Sequence, residues 1–425
     1  MLLNKFFGVV GVQLASTGLT IFSGIILARI LGPSEYGLYS FVLSLIVLLV
    51  IPITAGIPQL LMREIAYAQL SKNIGEIKGL LTWSIFHIMI LSVIIVIFLV
   101  ITIRIKWFEV DIAYLLSIAM VLIPLKGLLI RQNSILNAFR KPVLAQVPDK
   151  LLAPFIALVC YVSLLLWDEN FTSYLIIEIQ IFTTIIAFLI SLLLVKKTIL
   201  VNTNHINKQY YPSKWRRSII PFAILTIVSG FNGEIASVIL GILGNIESVA
   251  YFKVALQGVG LVSLGLVAVN AVTGPEIARM YKSDDLLSAQ LLLNKSVKLS
   301  CTCSLPITFI LMFCGEWVIV PLFGIEYLPA VKILSILCIG QIANVLMGSV
   351  GLVLNMTGNE KKTLRTLIIT FIFNILLLII LVPSYHEVGA AVAVTVSMIL
   401  WNILMAIDVY KTTQLKTWLR FSCEK

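Results

Sequence analysis

The sequence predicts an all-α polytopic membrane protein: twelve transmembrane helices in two six-helix lobes related by a pseudo-two-fold axis. Three observations carry that expectation. Apolar runs of about 20 residues, long enough to cross a bilayer core as helices, recur from end to end. The chain is 60% hydrophobic and only 12% charged, with a mean hydropathy of +1.05. A phrase near the end of the first apolar run returns in the second half of the chain.

The spans fall at 8–30, 36–58, 80–103, 112–130, 148–167, 172–195, 219–242, 248–270, 298–320, 331–354, 364–382 and 388–410. Breaks lie where charged residues, Gly and Pro cluster. Each span must be helical, because an open strand in lipid leaves backbone groups unpaired. The stretch from Phe6 to Ile30 is too long for the apolar core of a signal peptide and is read as the first span. Of the 31 basic residues, 25 fall on one side of this alternation, among them Lys72, Arg131, Lys150 and Lys214. The positive-inside rule makes that side cytoplasmic, with both termini there. The net charge of +11 is therefore topogenic and is not a sign of nucleic-acid binding.

The loops predicted outside are short, and the sequon Asn170-Phe171-Thr172 lies on one of them. The basic stretch 196–218 divides an N-terminal lobe, 1–195, from a C-terminal lobe, 219–410, followed by a cytoplasmic tail, 411–425. Anionic lipid head groups suit such a linker. The cysteines sit in apolar runs, apart from Cys423 in the tail. With no C-x-x-C spacing they read as small packing residues rather than metal ligands.

The repeated phrase is ILGPSEYGLY at 30–39 and ILGNIESVAY at 242–251, in register at an offset of 212. A second echo pairs Leu136-Asn137 with Leu354-Asn355, an offset of 218. With six spans per half, both copies run in the same direction, as a parallel repeat does.

Polar residues inside spans mark a transport route when they are not structural. Lys126 and Lys253 either attract an anionic substrate or snorkel to the interface. Gln257 shares a helix face with Lys253. Glu234 is either a coupling-ion ligand or the partner of a cation such as Lys253. Glu178 is expected to face the protein interior. Arg29 lies near enough to the outer end of span 1 to snorkel. His87 reads as a packed side chain. P-loop, HExxH and GxSxG motifs do not occur, which argues against an ATP-driven motor or a common hydrolase.

GVVGVQLASTGLTIFSGIILARILGPSEYGLYSFVLSL (8–45) resembles the start of Wzx-type polysaccharide-export flippases, relatives of the MATE drug exporters and the lipid II flippases. The string A-R-x-L-G-P-x-E-Y-G-x-Y (28–39) carries most of the likeness. FNGEIASVILGILGNIESVAYFKVAL (231–256), GPEIARMYKSDD (274–285) and VGAAVAVTVSMILWN (388–402) extend it along the chain. The resemblance implies a MATE-like fold in a bacterial inner membrane. It implies movement of undecaprenyl-diphosphate-linked oligosaccharide from the cytoplasmic to the outer leaflet, for O-antigen, capsule or exopolysaccharide. Such a protein is no enzyme. It needs no cofactor beyond coupling to an H⁺ or Na⁺ gradient, and its partners would be membrane lipids, a polysaccharide polymerase and a chain-length regulator.

A diphosphate crossing hydrocarbon needs cations, which Lys126, Lys253 and Arg29 offer. A sugar needs hydrogen-bonding groups, which Asn232, Gln257, Gln13, Asn270 and Asn344 offer. Glu178 and Glu234 are the candidates for a coupling ion. An ion-coupled MATE-like exporter of cationic drugs is the alternative with the same fold. A membrane glycosyltransferase or polymerase is the alternative of another class. It would need an acidic outer loop, and the longest one, 321–330, holds a single Glu326.

Overall fold

The computed structural model describes residues 2–166, 171–199 and 207–419. Asn170 of the sequon, linker residues 200–206, and Arg420, Cys423 and Lys425 of the tail lie outside the described residues. The helices are α1 (Leu2–Thr54), α2 (Ile57–Leu70), α3 (Ile74–Arg104), α4 (Val110–Ala119), α5 (Leu122–Ala138), α6 (Pro142–Gln146), α7 (Ala153–Leu166) and α8 (Ser173–Ile199). They continue as α9 (Pro212–Leu243), α10 (Ile246–Lys282), α11 (Leu286–Phe313), α12 (Gly315–Phe323), α13 (Pro329–Met347), α14 (Val350–Met356) and α15 (Glu360–Thr413). A π-helical turn, Val147–Leu152, joins α6 to α7. No strand occurs among the described residues.

Among the described residues, ten helical stretches are long and apolar enough to cross a membrane. Two of them, Gly11–Leu70 and Glu360–Thr413, run to 60 and 54 residues and are broken inside by a kink. Each therefore supplies two passes, and the total is the twelve expected. The first kink is at Gly32, whose φ of 68° and ψ of 174° fall in a region open essentially to glycine alone. Pro33 then starts the next helix, where a missing N–H costs nothing. The second kink is at His386, with φ 46° and ψ −125°. Gly389 lets the returning helix pass the Leu381 carbonyl there, where a Cβ would collide.

The chain divides into two compact units, Met1–Leu31 with Leu38–Glu234, and Gly32–Gly37 with Ile235–Lys425. In the first unit α5 is central and packs on α2, α3, α6 and α8. The end of the linker docks there too. Gln209 donates its N–H to the Gly75 carbonyl at 3.0 Å, and Gly79 lacks the Cβ that would strike the Gln209 carbonyl. Trp215 is fully buried and meets Trp83 at 5.5 Å. Lys214 pairs with Glu64 at 2.7 Å and with Glu76 at 3.0 Å. This linker cation thus serves a buried carboxylate of α2 rather than lipid head groups. In the second unit α10, α11 and α13 pack on one another, and α15 covers α13 and α14.

The repeat is written in the backbone of both units. Lys72 and Asp284, 212 residues apart, both have left-handed φ, 53° and 59°. Each is followed by a residue whose N–H reaches back five positions, Asn73 to the Ala68 carbonyl at 2.9 Å and Asp285 to the Met280 carbonyl at 3.0 Å. Those are Schellman ends. Asn73 and Asp285 then cap the following helices, accepting from the Glu76 and Ser288 N–H groups at 3.1 and 3.0 Å. The second echo behaves alike at its offset of 218. Arg140 and Gly358 are left-handed, at φ 59° and 76°. The Lys141 and Asn359 N–H groups reach the Leu136 and Leu354 carbonyls at 3.0 and 2.9 Å.

Both copies of the longer phrase contribute to the second unit. Gly37 lies against the Ile246 carbonyl, with no room for a Cβ between them. Tyr36 and Tyr251 both meet the ring of buried Tyr327, at 6.4 and 6.1 Å. Gly37→Ala is therefore expected to destabilise the protein by about 1–3 kcal/mol through overpacking, read as a lower melting temperature in detergent. Lys72→Gly is expected to do the opposite. It relieves a left-handed non-glycine residue worth about 1 kcal/mol, and the same thermal scan checks it.

Candidate functional site

Two of the membrane passes in the first unit are not continuous α-helices, and the polar groups gather where they break. The fourth pass is split between α4 and α5 at residues 120–121. Pro124 follows the split, and Lys126 lies half-buried one turn after the start of α5. The fifth pass holds the π-helical turn, with Pro148 inside its start and Pro154 just after its end. Neither proline has an N–H to give an α-helical bond. The chain widens instead, and the Ala153 N–H reaches the Pro148 carbonyl five residues back. Single π-turns of this kind are frequent at functional sites.

Asp149 and Lys150 sit on that turn, both half-buried. Lys150 Nζ donates to Gln13 Oε1 on α1 at 2.6 Å. The Asp149 carboxylate lies in the field of both Lys126 and Lys150, and Glu234 on α9 also acts on Lys126. Two cations and two carboxylates from three passes thus form a set with no net formal charge, which lowers the cost of holding charge away from water. Elsewhere in the first unit the side-chain carbonyl oxygens of Gln59, Gln132, Asn133 and Gln146 are buried without a protein donor. A buried acceptor left so is costly unless a ligand or water donates to it.

The structure treats the residues named from sequence unequally. Lys126 and Glu234 come together, and Asn232 is exposed two positions before Glu234 on α9. Lys253 and Gln257 are half-buried on α10 in the second unit. There Gln257 Nε2 donates to the Tyr36 hydroxyl at 2.7 Å, so that amide also braces the repeated phrase. Arg29 is exposed on α1. Glu178, expected to face the protein interior, is exposed on α8. Of the other amides, Asn270 accepts from the Ser349 hydroxyl, and Asn344 donates to Gln341 at 3.3 Å. His87 stacks on Trp83 at 5.1 Å, as a packed side chain does.

Three charged residues were missed. Asp149 was not singled out, and Lys150 and Arg131 were counted with the cytoplasmic loops. Arg131 is instead 6% exposed within α5. Its Nε donates to Ser84 Oγ at 2.8 Å and its Nη2 to the Leu81 carbonyl at 2.7 Å. It fastens α5 to α3, and the helix runs on to Ala138, past the last strongly apolar residues of the pass. The signal for the other two was present in the sequence: two prolines six residues apart, bracketing an Asp-Lys pair inside an apolar run.

If the Lys150–Gln13 bond holds α1 to the π-turn, Gln13→Ala leaves a half-buried ammonium short of an acceptor. The expected loss is about 1–2 kcal/mol, as for hydrogen bonds to charged groups. Thermal unfolding in detergent, with Leu14→Ala on the exposed face as control, measures it.

The chain matches the family model described as "Polysaccharide biosynthesis protein" over residues 2–281. It is 24% identical over 194 residues to the probable low-salt glycan biosynthesis flippase Agl15 of Haloferax volcanii, an alignment covering 45% of this chain and 41% of that protein. It is 26% identical over 152 residues to the probable lipid II flippase MurJ of Rickettsia prowazekii, covering 33% and 29%. The chain thus spans less than half the length of these curated relatives. Among solved structures, an inward-facing MATE-family multidrug transporter of the MOP superfamily superposes with a TM-score of 0.74 at 15% identity, covering 94% of this chain and 96% of that one. Lipid II flippase MurJ in an inward closed conformation gives 0.71 at 17% identity, covering 94% and 86%. At these identities the likeness shows the fold alone, which this chain shares with those two transporters.

Proposed function

Because this chain belongs to the polysaccharide biosynthesis protein family, we propose that it is a flippase. Its substrate in this reading is an oligosaccharide carried on undecaprenyl diphosphate. The head group moves from the cytoplasmic to the outer leaflet by alternating access, to supply a surface polysaccharide. The observation that carries the reading is the pairing of charges inside the membrane passes of the first unit: Lys126, Asp149 and Lys150 on the two interrupted passes, Lys150 bonded to Gln13 of α1, and Glu234 on α9 acting on Lys126.

A diphosphate is too strongly hydrated to enter hydrocarbon alone. Lys126 and Lys150 are the cations to meet it, and Asp149 and Glu234 balance them when it is gone. The buried amide oxygens of Gln59, Gln132, Asn133 and Gln146 are acceptors suited to sugar hydroxyl donors. The polyprenyl chain stays in lipid, where each methylene favours the apolar phase. Asp149 and Glu234 are also where a proton or Na⁺ would couple a gradient to the cycle. The sequence pointed to Glu178 for that task, but its exposed position on α8 makes Glu234 the better candidate. Lys253, Gln257 and Arg29 stand as secondary contacts.

A second reading is favoured by the same carboxylates. Two acidic groups among membrane helices suit a cationic drug, and the fold is shared with multidrug transporters. The two readings part on Lys126. Replacing it with Ala is expected to reduce delivery of lipid-linked oligosaccharide to the outer leaflet at least tenfold, with the protein still folded. A loss of about 1.4 kcal/mol from one charged contact is enough for that factor. The measurement is the surface glycan of a deletion strain carrying the variant, with accumulation of the lipid-linked intermediate on the cytoplasmic side. Normal glycan together with new drug sensitivity in the deletion strain would transfer the protein to the exporter class.

A further inference from the structure

The last residues described do not trail away from the second unit; they fold back and build a wall. After α15 ends, Gln414 turns the chain with a φ of 59°. Gln290 of α11 then grips the backbone of Lys416 twice, accepting its N–H and donating to its carbonyl, each at 2.7 Å. The Leu419 N–H donates to the Leu346 carbonyl of α13 at 2.9 Å. Leu415 and Thr417 are buried beneath. Between this strap and the ends of α13 and α15 lies a cavity of about 540 Å³, bounded by Leu346, Ile407, Tyr410, Lys411, Trp418 and Leu419.

The lining has a definite chemistry. Its walls are aliphatic and aromatic. One cation, Lys411, is exposed and forms part of the lining; a second, Lys416, is not in the lining but has its ammonium over the ring of the lining residue Tyr410 at 5.4 Å. By the charge asymmetry of the sequence this end of α15 is cytoplasmic. Tyr410 and Trp418 are amphipathic aromatics of the kind that settle at the level of lipid head groups. A groove open only to hydrocarbon would gain nothing from two lysines, and a site for a free anion would not need apolar walls.

We propose that this cavity binds one anionic phospholipid of the cytoplasmic leaflet, its acyl chain between α13, α15 and the strap and its phosphate between Lys411 and Lys416. The argument for this occupant is charge complementarity. A zwitterionic lipid has no net charge to set against the two lysines, whereas an anionic one is favoured by each basic residue near the surface. The site is separate from the one proposed for transport, so either proposal can fail alone. Its bound lipid would hold the strap to α13 and α15, linking the packing of the second unit to the composition of the membrane.

Trp418 supplies the probe. The full-length protein is reconstituted in phosphatidylcholine bilayers doped with phosphatidylglycerol brominated on its acyl chains. Quenching of Trp418 is taken as the difference between the wild type and Trp418→Phe. That component is expected to be quenched saturably by brominated phosphatidylglycerol, and far less by brominated phosphatidylcholine at the same fraction. Lys411→Gln and Lys416→Gln should each raise the half-quenching fraction about fivefold, the factor expected for one basic residue near an anionic lipid. Equal quenching by the two lipids, or an unchanged midpoint in the double variant, would overturn the proposal and leave an ordinary lipid-facing surface. Displacement of the brominated lipid by equimolar undecaprenyl phosphate would overturn it as well, assigning the groove to a substrate tail.

Discussion

Hydrocarbon offers no partner to a backbone N–H or C=O, and every departure from the α-helix in this protein is shaped by that fact. At Gly32 the chain turns where glycine can take a left-handed φ and proline can begin the next helix without an N–H to satisfy. At the fifth pass, Pro148 and Pro154 remove two donors, and the π-turn Val147–Leu152 re-pairs what it can. The helix ends at Lys72, Arg140, Asp284 and Gly358 are closed by Schellman turns, which use up carbonyls that would otherwise be bare. Where the backbone is interrupted in the fourth and fifth passes, Lys126, Asp149 and Lys150 are found. Interrupted helix and polar cluster are therefore one feature, and it is the feature on which the transport proposal stands.

The cluster also illustrates how charge is tolerated away from bulk water. Lys126 and Lys150 are matched by Asp149 and Glu234 in number, and Lys150 has Gln13 as a neutral acceptor. Arg131 is handled differently, by a hydroxyl and a main-chain carbonyl. Both bonds run to α3, so Arg131 reads as a clamp between α3 and α5. The distinction is a physical one. A charge that is fully hydrogen-bonded to rigid neighbours is structural, while charges that balance one another can exchange partners with an incoming ion.

Duplication gives the two units a shared grammar that survives where the side chains have diverged. Lys72 and Asp284 are different residues doing one backbone task, and so are Arg140 and Gly358. Helix termination depends on φ and on a few hydrogen bonds, and several residue types can meet those needs at modest cost. The core and cavity-lining residues have no such freedom to agree, because each unit packs a different set of neighbours. That is why the echo is faint in the letters and plain in the hydrogen bonds.

The apolar runs, the spacing of basic residues and the repeated phrase by themselves determined that this is a multi-pass helical membrane protein with twelve passes, since length and hydropathy alone govern whether a segment can span. The sequence also carried the family likeness and two members of the central polar set, Lys126 and Glu234. It did not reveal that Asp149 and Lys150 belong with them, that Arg131 is buried, or that Glu178 is exposed. Those depend on how each helix is rotated about its axis, and rotation is set by packing against neighbours far away in the chain. Nor did it show the strap over α13 and α15, because the grip of Gln290 on Lys416 spans 126 residues. No local pattern encodes a contact of that separation; only the folded unit brings its two ends together.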